Sequence, residues 1–123
     1  MKFQVKVVGH GSEALSFLGD PDNSFFIIFN EDAPAELAEI AVLHTKSEVY
    51  EDPAVGDTIK IANKEFIITA VGVEAPYTLR ELGHCTINFS GGQEAALPGC
   101  LMLEGCDRVT EDDLKEGAEI LIY

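Results

Sequence analysis

The chain has 123 residues, of which 46% are hydrophobic and 24% charged, a composition that excludes an intrinsically disordered protein. Its 22 acidic and 8 basic residues give a net charge of −14, which argues against binding to nucleic acid or to an anionic membrane surface, because phosphates would be repelled. The length predicts a single domain, residues 1–123, with a core that needs neither disulfides nor a structural metal.

The three cysteines, Cys85, Cys100 and Cys106, are odd in number and have no CxxC spacing, which argues against a disulfide framework and against a zinc knuckle. The N-terminal residues lack the apolar run of a signal peptide, and no segment reaches membrane-spanning length. These features together predict a cytoplasmic protein that does not insert into the membrane.

The first predicted strand covers residues 3–8, where apolar and polar side chains alternate as in a strand with one wet face. A short helical piece follows over residues 13–18, and a turn over residues 19–23 closes it. Residues 25–29 form an uninterrupted apolar run of strand length. After an acidic turn, a proline suited to the first turn of a helix predicts about one and a half helical turns over residues 34–39.

The next predicted strand, residues 40–46, carries one imidazole near its end. Alternation along a strand places Ile40, Val42 and His44 on the same face. A histidine on such a rigid element can be held in one tautomer, so its free ring nitrogen can serve as a base, a metal ligand or a nucleophile. The alternative is a core histidine that is packed and hydrogen-bonded without a chemical role.

The second half of the chain predicts a β-hairpin over residues 58–71, a loop over residues 73–77 and a helical turn over residues 78–83 that ends at a glycine. Three further strands follow, at residues 85–89, 100–103 and 118–123. A capped turn over residues 110–117 precedes the last of them. About eight short strands with three helical scraps predict an all-β fold, a small closed or partly open antiparallel β-barrel with short helical turns. No internal repeat is apparent.

Several kinds of catalytic site lack the residues that they require. The chain has no phosphate-binding glycine loop, no GxSxG, no HExxH and no dinucleotide fingerprint, and its carboxylates are scattered over predicted loops. The three histidines are therefore the informative group. His10 lies between glycines and is expected to face solvent, whereas His84 precedes a strand and could approach His44 in a barrel.

Two further arrangements of these residues stay open at this point. His44, His84 and Cys85 have side chains that suit zinc, although neighbouring residues on a strand point to opposite faces and so would not bind one ion together. The guanidinium of Arg80 could form an anion site near His84, because its planar fork matches phosphate oxygens. The alternative for Arg80 is an ordinary surface pair with Glu81 or another carboxylate.

Five short motifs occur in an order that is shared with a known family. In chain order they are Ala33-Pro34-Ala35-Glu36-Leu37, Ala41-Val42-Leu43-His44, Ala70-Val71-Gly72, Leu79-Arg80-Glu81-Leu82-Gly83-His84 followed by Phe89, and Leu97-Pro98-Gly99. From about Phe25 to Ile122 the chain thus resembles the sorbitol (glucitol)-specific enzyme IIA component of the bacterial phosphoenolpyruvate-dependent sugar phosphotransferase system. The block from Leu79 to His84 is the most specific part.

The resemblance implies a phosphocarrier whose acceptor is His44. This residue would take a phosphoryl group from the phosphohistidine of the carrier HPr and pass it to a cysteine on the IIB component of the sorbitol permease. The candidate stabilisers of the phosphoryl oxygens are His84, Arg80, Lys46 and backbone N–H groups near Gly83. Lys46 stands where some members of the family carry a second histidine. No cofactor or metal is implied, since the donor is another protein's phosphohistidine, and a homo-oligomer stays open.

A second function remains compatible with the residues alone. A β-barrel of this size could be a non-enzymatic ligand-binding or adaptor module, in which substitution of His44 would be tolerated. The phosphocarrier hypothesis additionally requires that the imidazole be uncharged and accessible at the rim of the barrel.

Overall fold

Eight strands close into a barrel in the computed structural model, which describes residues 1–19 and 24–123. The strands are β1 (Phe3–His10), β2 (Phe25–Asn30), β3 (Val42–His44), β4 (Thr58–Ile61), β5 (Lys64–Val71), β6 (Cys85–Asn88), β7 (Cys100–Glu104) and β8 (Glu119–Ile122). The helical elements are α1 (Ala35–Ala38), α2 (Ala75–Leu82) and a 3₁₀ turn (Glu111–Leu114). None of these helices has the length and apolar character needed to span a bilayer. The predicted all-β barrel is confirmed, while residues 20–23 of the predicted turn lie outside the described residues.

The strands follow the order β1-β3-β2-β6-β7-β5-β4-β8 around the barrel, and β8 pairs with β1 to close it. Six neighbouring pairs are antiparallel, but β2 with β3 and β6 with β7 are parallel, so the barrel is mixed and not purely antiparallel as predicted. Parallel neighbours were not expected because such crossovers are usually helical. Here the two connections, residues 31–41 and 89–99, make the crossover with only α1 as a regular helix.

The barrel is filled by side chains that alternate along each strand between the interior and the surface. β1 shows the pattern most clearly, because its apolar residues are buried and its polar residues are exposed, as the period of two predicts. The interior apolar side chains of the strands are Phe3, Val5, Val7, Phe26, Ile28, Val42, Ile59, Ile61, Phe66, Ile68, Cys85, Ile87, Leu101, Leu103, Ile120 and Ile122.

Helix α2 is longer than the sequence indicated. It begins at Ala75, so part of the segment 73–77 is helical and not the predicted loop. Pro76 lies in the first turn, where its missing N–H leaves no intrahelical hydrogen bond unmade. Gly83 follows the helix with a φ of 63°, the left-handed conformation that ends helices, as predicted.

The strand pairing has an internal two-fold symmetry that the sequence did not reveal. Exchanging strands β1 to β4 with strands β5 to β8 returns the same order and the same direction of every pair. The pair β1/β3 has a bulge between Val7 and Gly9, and the pair β5/β7 has one between Ile68 and Ala70. The barrel is therefore built from two halves of equivalent topology.

Backbone contacts repeat in the two halves as well. The N–H of Gly11 donates to the carbonyl of Ala41 at 3.1 Å, and the N–H of Gly72 donates to that of Cys100 at 2.8 Å. A side chain on either glycine would overlap carbonyl groups of the connection that crosses it, and each glycine opens a Gly-x-Glu-Ala sequence. Only glycine permits this close approach of two backbone segments.

Candidate functional site

His44 is the last residue of β3, and its ring points toward the barrel interior. In the strand register it lies opposite Val7 of β1 and beside Asn30 of β2. Its ring makes an edge-to-face contact with that of Phe3, with the two centroids 5.8 Å apart. The predicted common face of Val42 and His44 is thus correct.

Ile40 does not share this face, because β3 begins only at Val42 and Ile40 lies before it with 41% of its surface exposed. The prediction extended the strand too far toward its N-terminus. The short helix α1 ends at Ala38, so the chain needs the intervening residues to enter the sheet.

The expectation of an accessible imidazole is wrong for this structure, since the His44 residue is 0% exposed. The ring is covered by backbone: Nδ1 lies 2.8 Å from the carbonyl oxygen of Thr45, and Nε2 lies 2.7 Å from that of Gly83. A neutral imidazole has one N–H and one lone pair, so it can donate to only one of these carbonyls. The other nitrogen directs its lone pair at a carbonyl oxygen, which makes that contact the weaker one.

Burial lowers the pKa of His44 below its usual value of 6.5. The carbonyls of Thr45 and Gly83 and the negative charge of Glu31 oppose this shift without reversing it. At neutral pH the ring is therefore uncharged and keeps the lone pair that a nucleophile or a base requires.

Gly83 brings the end of α2 against the ring. A Cβ at this position would overlap Oδ1 of Asn30, and would lie 2.6 Å from Cγ of Asn30 and 2.8 Å from Cε1 of His44. Glycine is needed here both for the positive φ and for the space. Asn30 was missed by sequence reasoning, although a polar residue at the end of the apolar run of β2 was a signal that could have found it.

The other two predicted site residues have different partners. The ring of His84 packs against Phe29, with centroids 4.9 Å apart, and its Nδ1 lies 3.3 Å from the carbonyl oxygen of Ile28. Arg80 forms an ion pair with Asp52, and both side chains are exposed. Within residues 1–19 and 24–123, no hydrogen bond or ring contact joins His84 or Arg80 to His44.

A cavity of about 490 Å³ opens next to Asn30. It is lined by Phe29, Asn30, Asp32, Lys46, Ser47, Glu48, Glu81 and Leu82. The ammonium of Lys46 lies 2.6 Å from a carboxylate oxygen of Asp32, and this pairing raises the pKa of Lys46 and lowers that of Asp32. Lys46, two residues after His44, is thus charged and already paired.

The geometry gives no support to a zinc site made of His44, His84 and Cys85. In the described part of the chain, no three His, Cys, Asp or Glu side chains are grouped so that they could bind a metal ion. Cys85 is buried, and burial raises the pKa of its thiol, which opposes the thiolate form that zinc requires. His10 is exposed, as expected from its flanking glycines.

Comparison with known proteins gives a consistent result. Residues 2–121 match the family model of the PTS system glucitol/sorbitol-specific IIA component. Relatives with that name from Escherichia coli (strain K12) and Shigella flexneri are each 33% identical over 116 residues, which cover 94% of this chain and 89% of the relative. The crystal structure of a PTS system IIA component from Enterococcus faecalis V583 is similar with a TM-score of 0.77 and 25% identity, over 96% of this chain and 97% of that one.

Proposed function

Because this chain belongs to the glucitol/sorbitol-specific IIA family of the sugar phosphotransferase system, we propose that it accepts a phosphoryl group on His44 from HPr and passes it to the IIB component of a sorbitol permease. That it is a phosphotransferase component working between a phosphocarrier and a IIB component follows from the family. The proposal adds His44 as the acceptor, HPr as the donor, the cytoplasm as the location and residues 1–123 as one IIA domain.

The observation that carries the proposal is a neutral imidazole held at the end of a strand. In the first transfer the N–P bond of the donor histidine breaks while a bond forms between phosphorus and a nitrogen of His44; in the second, a cysteine sulfur of the IIB component displaces that nitrogen. Such transfers need an uncharged nitrogen in line with the leaving group and little other covalent chemistry. The lowered pKa of His44 supplies the uncharged form.

Transfer requires that one of the two backbone carbonyls leave the ring. Gly83 lies in the short connection between α2 and β6, and Thr45 opens the irregular segment that leads to β4. The neutral ring donates to only one of these carbonyls, so the other can move away without the loss of a hydrogen bond. That displacement would expose one ring nitrogen to the incoming phosphorus atom.

His84, Arg80 and Lys46 are the proposed sources of charge compensation. In the absence of a phosphoryl group, Arg80 and Lys46 are paired with exposed aspartates. Exposed ion pairs contribute little to stability, so both cations can exchange a carboxylate for phosphoryl oxygens at little cost. The planar fork of Arg80 suits two of those oxygens at once.

Incubation with phosphoenolpyruvate, enzyme I and HPr tests the assignment of His44. We expect the wild-type protein to take up acid-labile, base-stable phosphate and the folded His44→Gln variant to take up none, whereas His10→Gln and His84→Gln are labelled. Glutamine retains an amide that can donate to the carbonyls around position 44. Labelling of His44→Gln would assign the acceptor to another histidine, and an unlabelled wild-type protein would favour the non-enzymatic binding module.

A further inference from the structure

Asn30 is the residue whose side chain lies nearest to His44 across the parallel pair of β2 and β3. The two residues are neighbours in the register, and they follow Ile28 and Val42, which are neighbours two positions earlier and point into the core. Since side chains alternate along both strands, Asn30 and His44 share the inner face. Their side chains meet at the end of α2.

The contacts at Gly83 fix where the carboxamide lies. Both Asn30 Cγ and His44 Cε1 come within 3 Å of the point where a Cβ of Gly83 would be, at 2.6 and 2.8 Å. Cε1 is bonded to both ring nitrogens, so a phosphoryl group on either nitrogen would be close to the carboxamide. Oδ1 is the atom turned toward Gly83, which leaves Nδ2 as the donor available to a ligand.

The carboxamide of Asn30 has no hydrogen-bond partner in residues 1–19 and 24–123. No fully buried polar side-chain atom in the described residues lacks a partner, so the amide is open to solvent, in agreement with its place on the wall of the 490 Å³ cavity. Polar side-chain atoms in proteins are mostly hydrogen-bonded to protein groups or to water, so this solvent-facing amide is bonded by water that a ligand can replace. A free donor beside the acceptor ring is therefore available to a bound group.

The charge of the cavity makes a neutral donor useful. Its wall carries the carboxylates of Asp32, Glu48 and Glu81 against the single ammonium of Lys46, which already pairs with Asp32. A phosphoryl group, with its own negative charge, would meet net repulsion from these side chains. An uncharged N–H can donate a hydrogen bond to a phosphoryl oxygen. The nearby carboxylates attract it less strongly than they would attract a cation.

We propose that Asn30 is a phosphoryl-binding residue, whose Nδ2–H donates to an oxygen of the phosphoryl group on His44. The inference deepens the proposed function and rests on His44 as the acceptor. No bond to Asn30 forms or breaks, and no proton is transferred. Its contribution is to orient the group in line with the donor and acceptor atoms and to compensate its charge.

The test compares Asn30→Asp and Asn30→Ala with Asn63→Asp, a control that makes the same change in the exposed turn between β4 and β5. The rate of phosphoryl uptake from phospho-HPr and the ³¹P chemical shift of the phosphohistidine are measured for each. Loss of a hydrogen bond to a charged group slows transfer by about 10- to 100-fold in both Asn30 variants. We expect Asn63→Asp to match the wild type, and the ³¹P shift to move only when Asn30 is changed.

Thermal unfolding separates this role from a structural one, because a merely structural Asn30 would change the unfolding midpoint and leave the ³¹P shift unchanged. Uptake by both Asn30 variants within twofold of Asn63→Asp, or an unchanged ³¹P shift, would overturn the inference while His44 remained the acceptor. Labelling of His44→Gln would instead overturn the proposed function itself. If Asn30→Asp does not fold, Asn30→Ala alone decides, since it adds no charge.

Discussion

The behaviour of His44 is set by main-chain atoms of its neighbours. Both groups that face its nitrogens are carbonyls, from Thr45 and from Gly83, and the ring is otherwise enclosed by core side chains such as Phe3. Because both contacts are to backbone, the identity of the neighbouring side chains gives no sign of them. The orientation of the imidazole is thus determined by strand register and by the path of the chain after α2.

The pH dependence of stability should carry the signature of this buried imidazole. The pKa of His44 is lowered in the folded state, so the unfolded state binds more protons below about pH 6.5 and folding stability decreases as the pH falls through that value. The slope due to one group is at most about 1.4 kcal/mol per pH unit. Urea unfolding between pH 8 and pH 5 should show this component in the wild type and in His10→Gln but not in His44→Gln. Equal slopes in all three proteins would contradict the lowered pKa.

Individual elements are attached to the barrel by a few polar contacts, and the 3₁₀ turn is the clearest case. Asp113 accepts hydrogen bonds from Lys64 Nζ at 2.7 Å and from the backbone N–H of Thr110 at 2.9 Å, so it caps its own turn and binds that turn to the β4–β5 hairpin. Asp52 precedes β4 in the other half, as Asp113 precedes β8, and it pairs with Arg80 at the surface. A carboxylate before the last strand thus has a structural role in one half and forms an exposed ion pair in the other.

These two aspartates form a matched pair for measurement. We expect Asp113→Ala to lower the free energy of unfolding by about 2 kcal/mol, because it removes a helix cap and leaves the partly buried ammonium of Lys64 with only the carbonyl of Arg108 as a partner. Asp52→Ala should lower it by less than about 1 kcal/mol, since exposed pairs contribute little. Urea titrations of both variants provide the check, and similar losses for the two would show that the partly buried pair stabilises the fold no more than the exposed one.

The whole molecule is a two-fold barrel in which only one half keeps the polar residues of the site. The positions equivalent to Asn30 and His44 are Phe89 and Leu103, which line a cavity of about 670 Å³ whose wall has both apolar and polar side chains. The two halves share the same backbone frame, but only the first half has a histidine and an asparagine at these two positions. A symmetric scaffold therefore carries one asymmetric site.

Because the two halves share the same backbone contacts, we expect substitution of either of two distant glycines to destabilise the fold to a similar extent. Gly11→Ala and Gly72→Ala each place a methyl group into carbonyl groups of a crossing connection, and each should destabilise the fold by about 1 to 3 kcal/mol. Gly99→Ala is the control, because a Cβ at Gly99 meets no atom within 4 Å. The free energy of unfolding in urea decides: if Gly11→Ala or Gly72→Ala were as stable as Gly99→Ala, the close approach would not be a constraint on the fold.

The sequence by itself determined the local features of this protein. Alternation of apolar residues located the strands, and Gly83 was identified as the end of a helix, because both are properties of a few consecutive residues. Five motifs sufficed to identify the family, which the matches over nearly the whole chain confirm. Pro76 misled the prediction, since the same residue begins a helix as readily as it interrupts one.

Only the tertiary structure decided which segments meet. The parallel pairs, the two-fold order of the strands, the burial of His44 and the place of Asn30 beside it all depend on contacts between distant parts of the chain. The carbonyl that faces Nε2 of His44 belongs to a residue 39 positions away, and no local pattern encodes such a contact. Alternation specifies which face of a strand is apolar, but the choice of neighbouring strand is made by the packing of all eight together.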